Sequence, residues 1–284
     1  MVSEHFKTVT SINGTFVRRG QDKISVFDNS LLYAEGLFET LLCIDDRILF
    51  LEEHLKRLYK GSKIMGLGIP VSKQILTQWM FSTAKKHPDR IKKLRLTVTS
   101  GEAARWVGSP GQQQVILSVS PHIMPAKPFT LNVSRFRVDQ DSVFRQIKTI
   151  SYVIHAAALN QAQKEGCDDA LMLNEKNNVA EVSSANIFWV KNKKVFTPPL
   201  SSGCLEGTTR KIVMNEANKL GIQVLEKNCK LQTILKADET FLSSSLKLVV
   251  GISKIKNDKK TFTLSTGEIT NVLANHFTKL VKLR

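Results

Sequence analysis

The sequence predicts a mixed α/β (α+β) protein of two domains, and three observations carry that prediction. Strand-like and helix-like segments alternate along nearly the whole chain, a proline-studded stretch interrupts them near the middle, and 284 residues suffice to bury two cores. Hydrophobic residues make up 42% and charged residues 23%, the balance of an ordinary globular protein. No run approaches the ~20 apolar residues that span a bilayer. The opening Met1-Val2-Ser3-Glu4-His5 lacks the basic-then-apolar pattern of a signal peptide, so the expectation is a soluble, cytoplasmic protein without membrane contact.

In chain order, Thr8 to Val17 alternates as two short strands about Asn13-Gly14, residues that tolerate the positive φ of a tight hairpin. Leu37 to Ile44 and Ile48 to Leu51 make a second hairpin across Asp45-Asp46. From Leu51 to Met65, positions Leu51, Leu55, Leu58, Ser62 and Met65 recur at steps of three and four, which predicts an amphipathic helix with Arg57 off its stripe. A second helix covers about Ser72 to Lys86 and stops before His87-Pro88. Ile91 to Thr99 and Gln114 to Ser120 alternate as strands, and a glycine-bounded loop containing Arg105 lies between them. Pro121, Pro125 and Pro128 stiffen a connector. The boundaries therefore read 1–120 for a smaller N-terminal domain, 121–128 for the connector and 129–284 for a larger C-terminal domain.

After the connector, Phe129 to Val138 resumes strand character. Gln146-Ile147-Lys148-Thr149-Ile150-Ser151-Tyr152 then delivers one lysine to the start of an alanine-rich helix running to about Glu165. A lysine at such a turn, partly shielded from water, can lose its proton near neutral pH and attack a carbonyl. Asp169 to Asn174 and the Asn177-Asn178 turn lead to Glu181, which stands just before a small-residue turn and the apolar strand Asn186 to Val190. Gly203 to Arg210 opens a helix with glycine and hydroxyl residues, leaving backbone N–H groups for an anion. That helix runs from Thr209 to Leu220 and stops at Gly221. Ile222 to Glu226 is a strand, Leu231 to Leu235 a short helix, and Glu239 to Ser243 a strand that ends in hydroxyls at Ser243, Ser244 and Ser245. Lys247 to Ile255 continues the sheet, and Val272 to Leu283 is a closing amphipathic helix. Lysine, carboxylate and anion cradle together describe a pyridoxal phosphate site.

On these motifs the chain resembles the class IV aminotransferases of PLP fold type IV, a family of branched-chain aminotransferases, D-amino acid aminotransferases and 4-amino-4-deoxychorismate lyases. The resemblance runs from Asn13-Gly14 to Lys254 with the motifs in family order. It implies two domains with pyridoxal 5′-phosphate between them, Lys148 as the catalytic Schiff-base lysine and Glu181 as partner of the pyridine nitrogen. It also implies phosphate contacts from Arg57, within Glu53-His54-Leu55-Lys56-Arg57-Leu58, from Thr208 and Thr209, and from Ser244 and Ser245, with Tyr152 near the cofactor. Tyr33 would face the substrate and Arg105 would bind its carboxylate, although Val107 stands where the D-specific members carry histidine. Ala34-Glu35-Gly36 occupies the usual Gly-Asp-Gly, keeping the acid but removing one glycine's freedom at positive φ. The resemblance further implies a homodimer whose active sites draw on two subunits.

Such an apparatus permits transamination or elimination, and the substrate pocket decides between them. Branched-chain members commonly carry Phe-Glu-Gly where this chain has Phe38-Glu39-Thr40. With Asn186 to Trp189 and Gly203 to Arg210, the chain looks most like the aminodeoxychorismate lyases, which release pyruvate and leave 4-aminobenzoate for folate synthesis. The alternative is an amino acid transaminase of D-amino acid or branched-chain type. A remote third reading, a basic binding protein that kept the fold without catalysis, conflicts with the intact Lys148 and Glu181.

The net charge of +16 would favour polyanions. Yet its lysines are scattered through turns, as at Lys191, Lys193, Lys194, Lys254, Lys256, Lys259 and Lys260, without interleaved aromatics, so a solvated surface that attracts an anionic amino substrate is expected rather than a nucleic-acid partner. Cys43, Cys167, Cys204 and Cys229 include no close pair, and no histidines share metal-binding spacing, so neither disulfide nor metal is expected.

Overall fold

The computed structural model describes residues 8–102 and 111–283. Contacts divide the chain into two compact units: one runs to Ile123 and takes back Ile147–Ser151, and the other comprises Met124–Gln146 and everything from Tyr152 on. The sequence places Lys148 in the C-terminal domain; its segment groups instead with the first unit.

The first unit is a six-stranded antiparallel sheet with helices packed on it. Its strands are β1 (Val9–Ile12), β2 (Thr15–Val17), β3 (Gly36–Ile44), β4 (Arg47–Ile48), β5 (Ile91–Thr99) and β6 (Val115–Pro121), in the order β2-β1-β6-β5-β3-β4. The β1–β2 hairpin turns at Asn13 and Gly14, with φ 51° and 80°. Helices α1 (Asn29–Tyr33), α2 (Leu51–Met65) and α3 (Lys73–Lys86) complete the unit. α2 and α3 begin where the apolar spacing puts them, and the Ser72 side chain caps α3 by accepting from the Ile75 N–H. The core joins Leu37, Leu41 and Cys43 of β3 to Leu55 and Leu58 of α2, Leu76 and Met80 of α3, and the inward faces of β5 and β6. Ile147 belongs to that same core. Three backbone contacts fix its neighbours as an extra strand on β3: Phe38 donates to the Lys148 carbonyl (2.9 Å), Ile150 donates to the Gly36 carbonyl (3.0 Å), and Thr149 bridges Leu37. These contacts are why Lys148 belongs to this unit.

The second unit is built on a nine-stranded mixed sheet. It contains β7 (Phe129–Val138), α4 (Val153–Lys164), β8 (Asp169–Asn174), β9 (Val179–Val182), β10 (Asn186–Lys191), β11 (Lys194–Thr197), α5 (Thr208–Lys219), β12 (Val224–Glu226), α6 (Leu231–Leu235), β13 (Glu239–Ser244), β14 (Leu248–Asn257), β15 (Lys260–Thr263) and α7 (Glu268–Leu280). The strand order is β12-β11-β10-β13-β14-β7-β8-β9, with β15 on β14. β7 and β8 are parallel and joined through α4, and β8, covered on both faces, is buried at every residue, whereas β7 is only partly buried and exposes Arg135. One core lies around Leu131, Leu171, Trp189 and Leu242, and another lies under α4 around Ala158, Ala162, Ala170 and Met172. α7 starts at Glu268, a full turn before the expected Val272. Among the described residues no helix is long and apolar enough to cross a membrane.

Candidate active site

In the first unit the lysine strand and β3 place Lys148 against an aromatic ring. Lys148 Nζ lies 4.4 Å from the centre of Phe38, and the Arg95 guanidinium lies 4.0 Å from the same ring. The next residue of β3, Glu39, is buried and takes Arg57 as a two-pronged partner, Nε to Oε1 at 2.7 Å and Nη2 to Oε2 at 2.6 Å. His54, one turn before Arg57 on α2, lies with Nδ1 2.6 Å from Glu39 Oε2. Burial alone would push the Glu39 carboxyl up, but the Arg57 charge and hydrogen bonds, with those of His54, hold it down at about 2. Burial pushes His54 below its ordinary value, against the pull of Glu39 and with the help of Arg57 and Lys148. The ring is therefore neutral at pH 7, and since an ionised carboxylate only accepts, Nδ1 carries the proton. Arg57, expected on phosphate, thus has two of its donors committed to Glu39, which aims the rest of the fork.

In the second unit β9 presents Glu181, 4% exposed. Its Oε1 accepts from Arg145 Nη2 and, at 3.0 Å, from His155 Nε2 on α4; its Oε2 accepts from the Leu205 N–H at 2.9 Å. Burial would raise this carboxyl too; the Arg145 charge, the two His155 effects and the Leu205 N–H outweigh it and hold it at about 2. Tyr152, immediately before α4, stacks on His155 with ring centres 4.4 Å apart and donates its hydroxyl to the Ser183 carbonyl at 2.8 Å. Buried Asp169 accepts from the hydroxyls of Ser183 and Ser184 and, at 3.4 Å, from Lys247 Nζ. It thereby pins the turn that follows Glu181 to the turn that follows Ser244 and Ser245.

The start of α5 is open to an anion. Gly207 precedes it, no side chain caps it, and the first bond of the helix is Lys211 N–H to the Gly207 carbonyl at 3.1 Å. The N–H groups of Thr208, Thr209 and Arg210 come before that bond, and Thr208 and Thr209 are buried. Thr209 Oγ1 lies 3.5 Å from Ser245 Oγ, which brings the two expected phosphate segments together. Gly207 is required for steric reasons: a Cβ there would meet Asn186 Oδ1 at 1.9 Å. An ionised, desolvated carboxylate for a ring nitrogen and an uncapped, hydroxyl-lined helix start for a phosphate are the donor set pyridoxal phosphate requires. No His, Cys, Asp or Glu cluster among the described residues could hold a metal.

The sequence-predicted residues therefore fall into two groups. Glu181, Tyr152, Thr208, Thr209, Ser244 and Ser245 share the second unit, and Lys148 and Arg57 share the first. Tyr33 ends α1 and is 43% exposed. Arg105 lies outside the described residues. Sequence reasoning missed Arg145, His155 and Asp169, and gave no role to Glu39 or His54. The Glu-His-Leu-x-Arg-Leu spacing carried a signal for His54, three residues before Arg57 and so on the same helical face.

Known proteins of one family share this chain's sequence pattern and fold. The family model for amino-transferase class IV matches residues 36–255. A putative branched-chain-amino-acid aminotransferase of Methanocaldococcus jannaschii is 32% identical over 94% of each chain. The aminodeoxychorismate lyase of Bacillus subtilis is 24% identical over 95% of this chain and 94% of its own. Among solved structures, the branched-chain aminotransferase of Thermoproteus uzoniensis with norvaline superposes with a TM-score of 0.88, at 26% identity over 96% of this chain and 94% of that one. Another branched-chain amino acid aminotransferase, solved with pyridoxamine 5′-phosphate, superposes with a TM-score of 0.87, at 25% identity over 97% of this chain and 94% of that one. Matched by the family model from β3 to β14, and carrying an uncapped helix start, a buried carboxylate held ionised and a lysine strand, this protein is a member of the class IV aminotransferase family, an enzyme family whose cofactor is pyridoxal 5′-phosphate.

Proposed function

We propose that the chain cleaves 4-amino-4-deoxychorismate to pyruvate and 4-aminobenzoate, a step that serves folate synthesis, in the cytoplasm and as a homodimer. The observation that carries the reading of an anionic amino substrate is the Arg95 guanidinium, 4.0 Å from the centre of the Phe38 ring that also meets Lys148. A guanidinium beside the lysine suits a substrate carboxylate. Thr40, where branched-chain members commonly carry glycine, and the lyase relative support the same choice. Amino acid transamination of branched-chain or D-amino acid type is the second reading, favoured by the 32% identity to a relative named for branched-chain transfer.

The bound cofactor supplies an electron sink for the bond broken at the substrate Cα. Lys148 would hold the cofactor, and its Nζ would serve the substrate as general base and acid. Glu181, kept ionised by its neighbours, would face the cofactor's ring nitrogen and favour its protonated form. The N–H groups of Thr208 and Thr209, the Ser244 and Ser245 hydroxyls and Arg57 anchor the phosphate, since a drift of about 1 Å costs roughly a hundredfold in rate. The atom to which Lys148 Nζ would return its proton separates the two readings: delivery to the leaving fragment would give elimination, and its absence would leave amino transfer. The exposed apolar run of Val26, Phe27, Leu31 and Leu32 supports a second copy of the chain as its cover.

The test is product analysis of the pyridoxal phosphate-loaded protein. Repeated release of pyruvate and 4-aminobenzoate from aminodeoxychorismate is expected, with no change in the visible spectrum on adding L- or D-amino acids alone. One stoichiometric spectral conversion by an amino acid, with no 4-aminobenzoate, would replace the lyase reading by the transaminase reading.

A further inference from the structure

Arg145 occupies a position that no family motif marked. It sits in the 3₁₀ turn Val143–Gln146, three residues ahead of Lys148. Its Nη2 donates to Glu181 Oε1 and its Nε donates to the Gly203 carbonyl at 2.8 Å. Two residues past Gly203, the Leu205 N–H returns to Glu181 Oε2 at 2.9 Å. Glu181, Arg145 and the Gly203–Leu205 loop thus form a closed hydrogen-bonded ring. The loop in that ring is stiff: Gly203 has φ 87°, a Cβ there would meet Gln140 Cα at 2.8 Å, and Asn186 Nδ2 donates to the Leu205 carbonyl at 2.9 Å. Three residues beyond Leu205 begins α5.

The ring has an electrical consequence as well as a geometric one. A bare buried carboxylate would hold a proton on a nearby ring nitrogen very tightly, whereas a carboxylate already shared with a guanidinium holds it less tightly. The groups facing Glu181 are Arg145 from the 3₁₀ turn, His155 from α4 with Tyr152 stacked on it, the Leu205 N–H, and the Cys204 thiol. Burial and the Glu181 charge push that thiol up to about 11, so it contributes no charge at neutral pH. Arg145 is the permanently charged member, because a guanidinium does not titrate in the working range.

Resting on the reading of Glu181 as partner of the ring nitrogen, we propose that Arg145 is a positioning residue with two separable effects: its charge offsets Glu181 and so lowers the basicity of the bound cofactor, and its fork ties Glu181 to the loop that opens the phosphate helix. The first effect needs only a cation at this place. The second needs two donors in one plane, which lysine does not provide.

Two readouts on the holoenzyme separate these effects: the pH midpoint of the bound cofactor's visible absorbance change, and the dissociation constant for pyridoxal phosphate. Arg145→Met is expected to raise the midpoint by about half a unit or more and to weaken cofactor retention on the order of tenfold. Arg145→Lys should keep the midpoint near that of the parent protein while still weakening retention. Arg145→Gln, which keeps a planar donor without the charge, should shift the midpoint like Met, and it serves where Met fails to fold. An unmoved midpoint in both Met and Gln variants, or an equal shift in the Lys variant, would overturn the proposal. Glu181→Gln is the control for the underlying reading. If it moves the midpoint or weakens retention while the Arg145 variants do nothing, only the role of Arg145 falls; if it changes neither midpoint nor retention, the reading of Glu181 falls with it.

Discussion

Ala34 holds a left-handed conformation, φ 58° and ψ 29°, at the end of α1, a conformation that glycine adopts freely. For an alanine this costs roughly 1–2 kcal/mol, offset in part by the Ala34 N–H bonding back to the Asn29 carbonyl. Ala34→Gly is therefore expected to stabilise the protein by roughly 0.5–1 kcal/mol in denaturant melts, since the strain relieved exceeds the extra freedom the unfolded chain gains. The buried acids set the pH response. Glu39 and Glu181 both have folded values near 2, below the ordinary 4.5. A depressed carboxylate contributes stability that is complete above its unfolded value and disappears as pH falls through its folded value. The window is thus from about 5 down to about 2, and each group is worth on the order of 2–3 kcal/mol there. Thermal melts across that window should show a steep acid limb. Glu39→Gln should flatten it while costing about 2–4 kcal/mol at neutral pH, because Arg57 is left buried without its carboxylate. Neither effect is visible in the sequence: Glu39 lies 18 residues from Arg57, and Arg145 lies 36 from Glu181. Those partners meet only through strand pairing and turns that no local pattern encodes.

At the scale of elements, the opening of α5 depends on a residue with no side chain. Gly207→Ala would drive a methyl into Asn186 Oδ1, which in turn holds the Leu205 carbonyl through Nδ2. The expected result is a displaced helix start and cofactor affinity lowered at least tenfold, with the affinity for phosphate-free pyridoxal changed much less, as equilibrium binding of both ligands would show. Helix boundaries are readable wherever their determinants are local. α2 follows its apolar spacing and α3 its Ser72 cap, and β5, β7 and β8 coincide with their alternating or continuous apolar runs. α7 begins a turn earlier than its apolar pattern predicts, for a physical reason. Its cap is Glu239 on β13, which accepts from the N–H groups of Ile269 (3.1 Å) and Thr270 (2.7 Å), about thirty residues away in sequence. A helix capped from a distant strand carries no Ser, Thr or Asp just before it, and here Gly267 stands there because Glu239 fills the space a side chain would need.

Over the whole molecule, the charge of +16 belongs to no single patch of sequence, and its effect is best sought in rates. If the field draws in an anionic substrate, kcat/KM should fall severalfold as salt shortens the screening length from about 30 Å at 0.01 M to about 10 Å at 0.1 M, with kcat nearly constant. A steady-state series in potassium chloride checks this; a flat kcat/KM would confine the charge to solubility. Two units and their strand content are legible because strand and helix patterns alternate and prolines mark the join. The assignment of the lysine is not legible, because residues 129–146 precede it in sequence and belong to the other unit.

That assignment limits how the protein can be taken apart. The chain passes from one unit to the other after Ile123, returns at Ile147 and leaves again after Ser151. A scission at the proline connector would separate β3 from the short strand hydrogen-bonded to it, so neither half would be a complete module. Recombining N-terminal halves between relatives at that join would graft a foreign sheet edge onto this chain's own lysine strand. Productive chimaeras therefore require Gly36–Phe38 and Ile147–Ile150 to be inherited from the same parent.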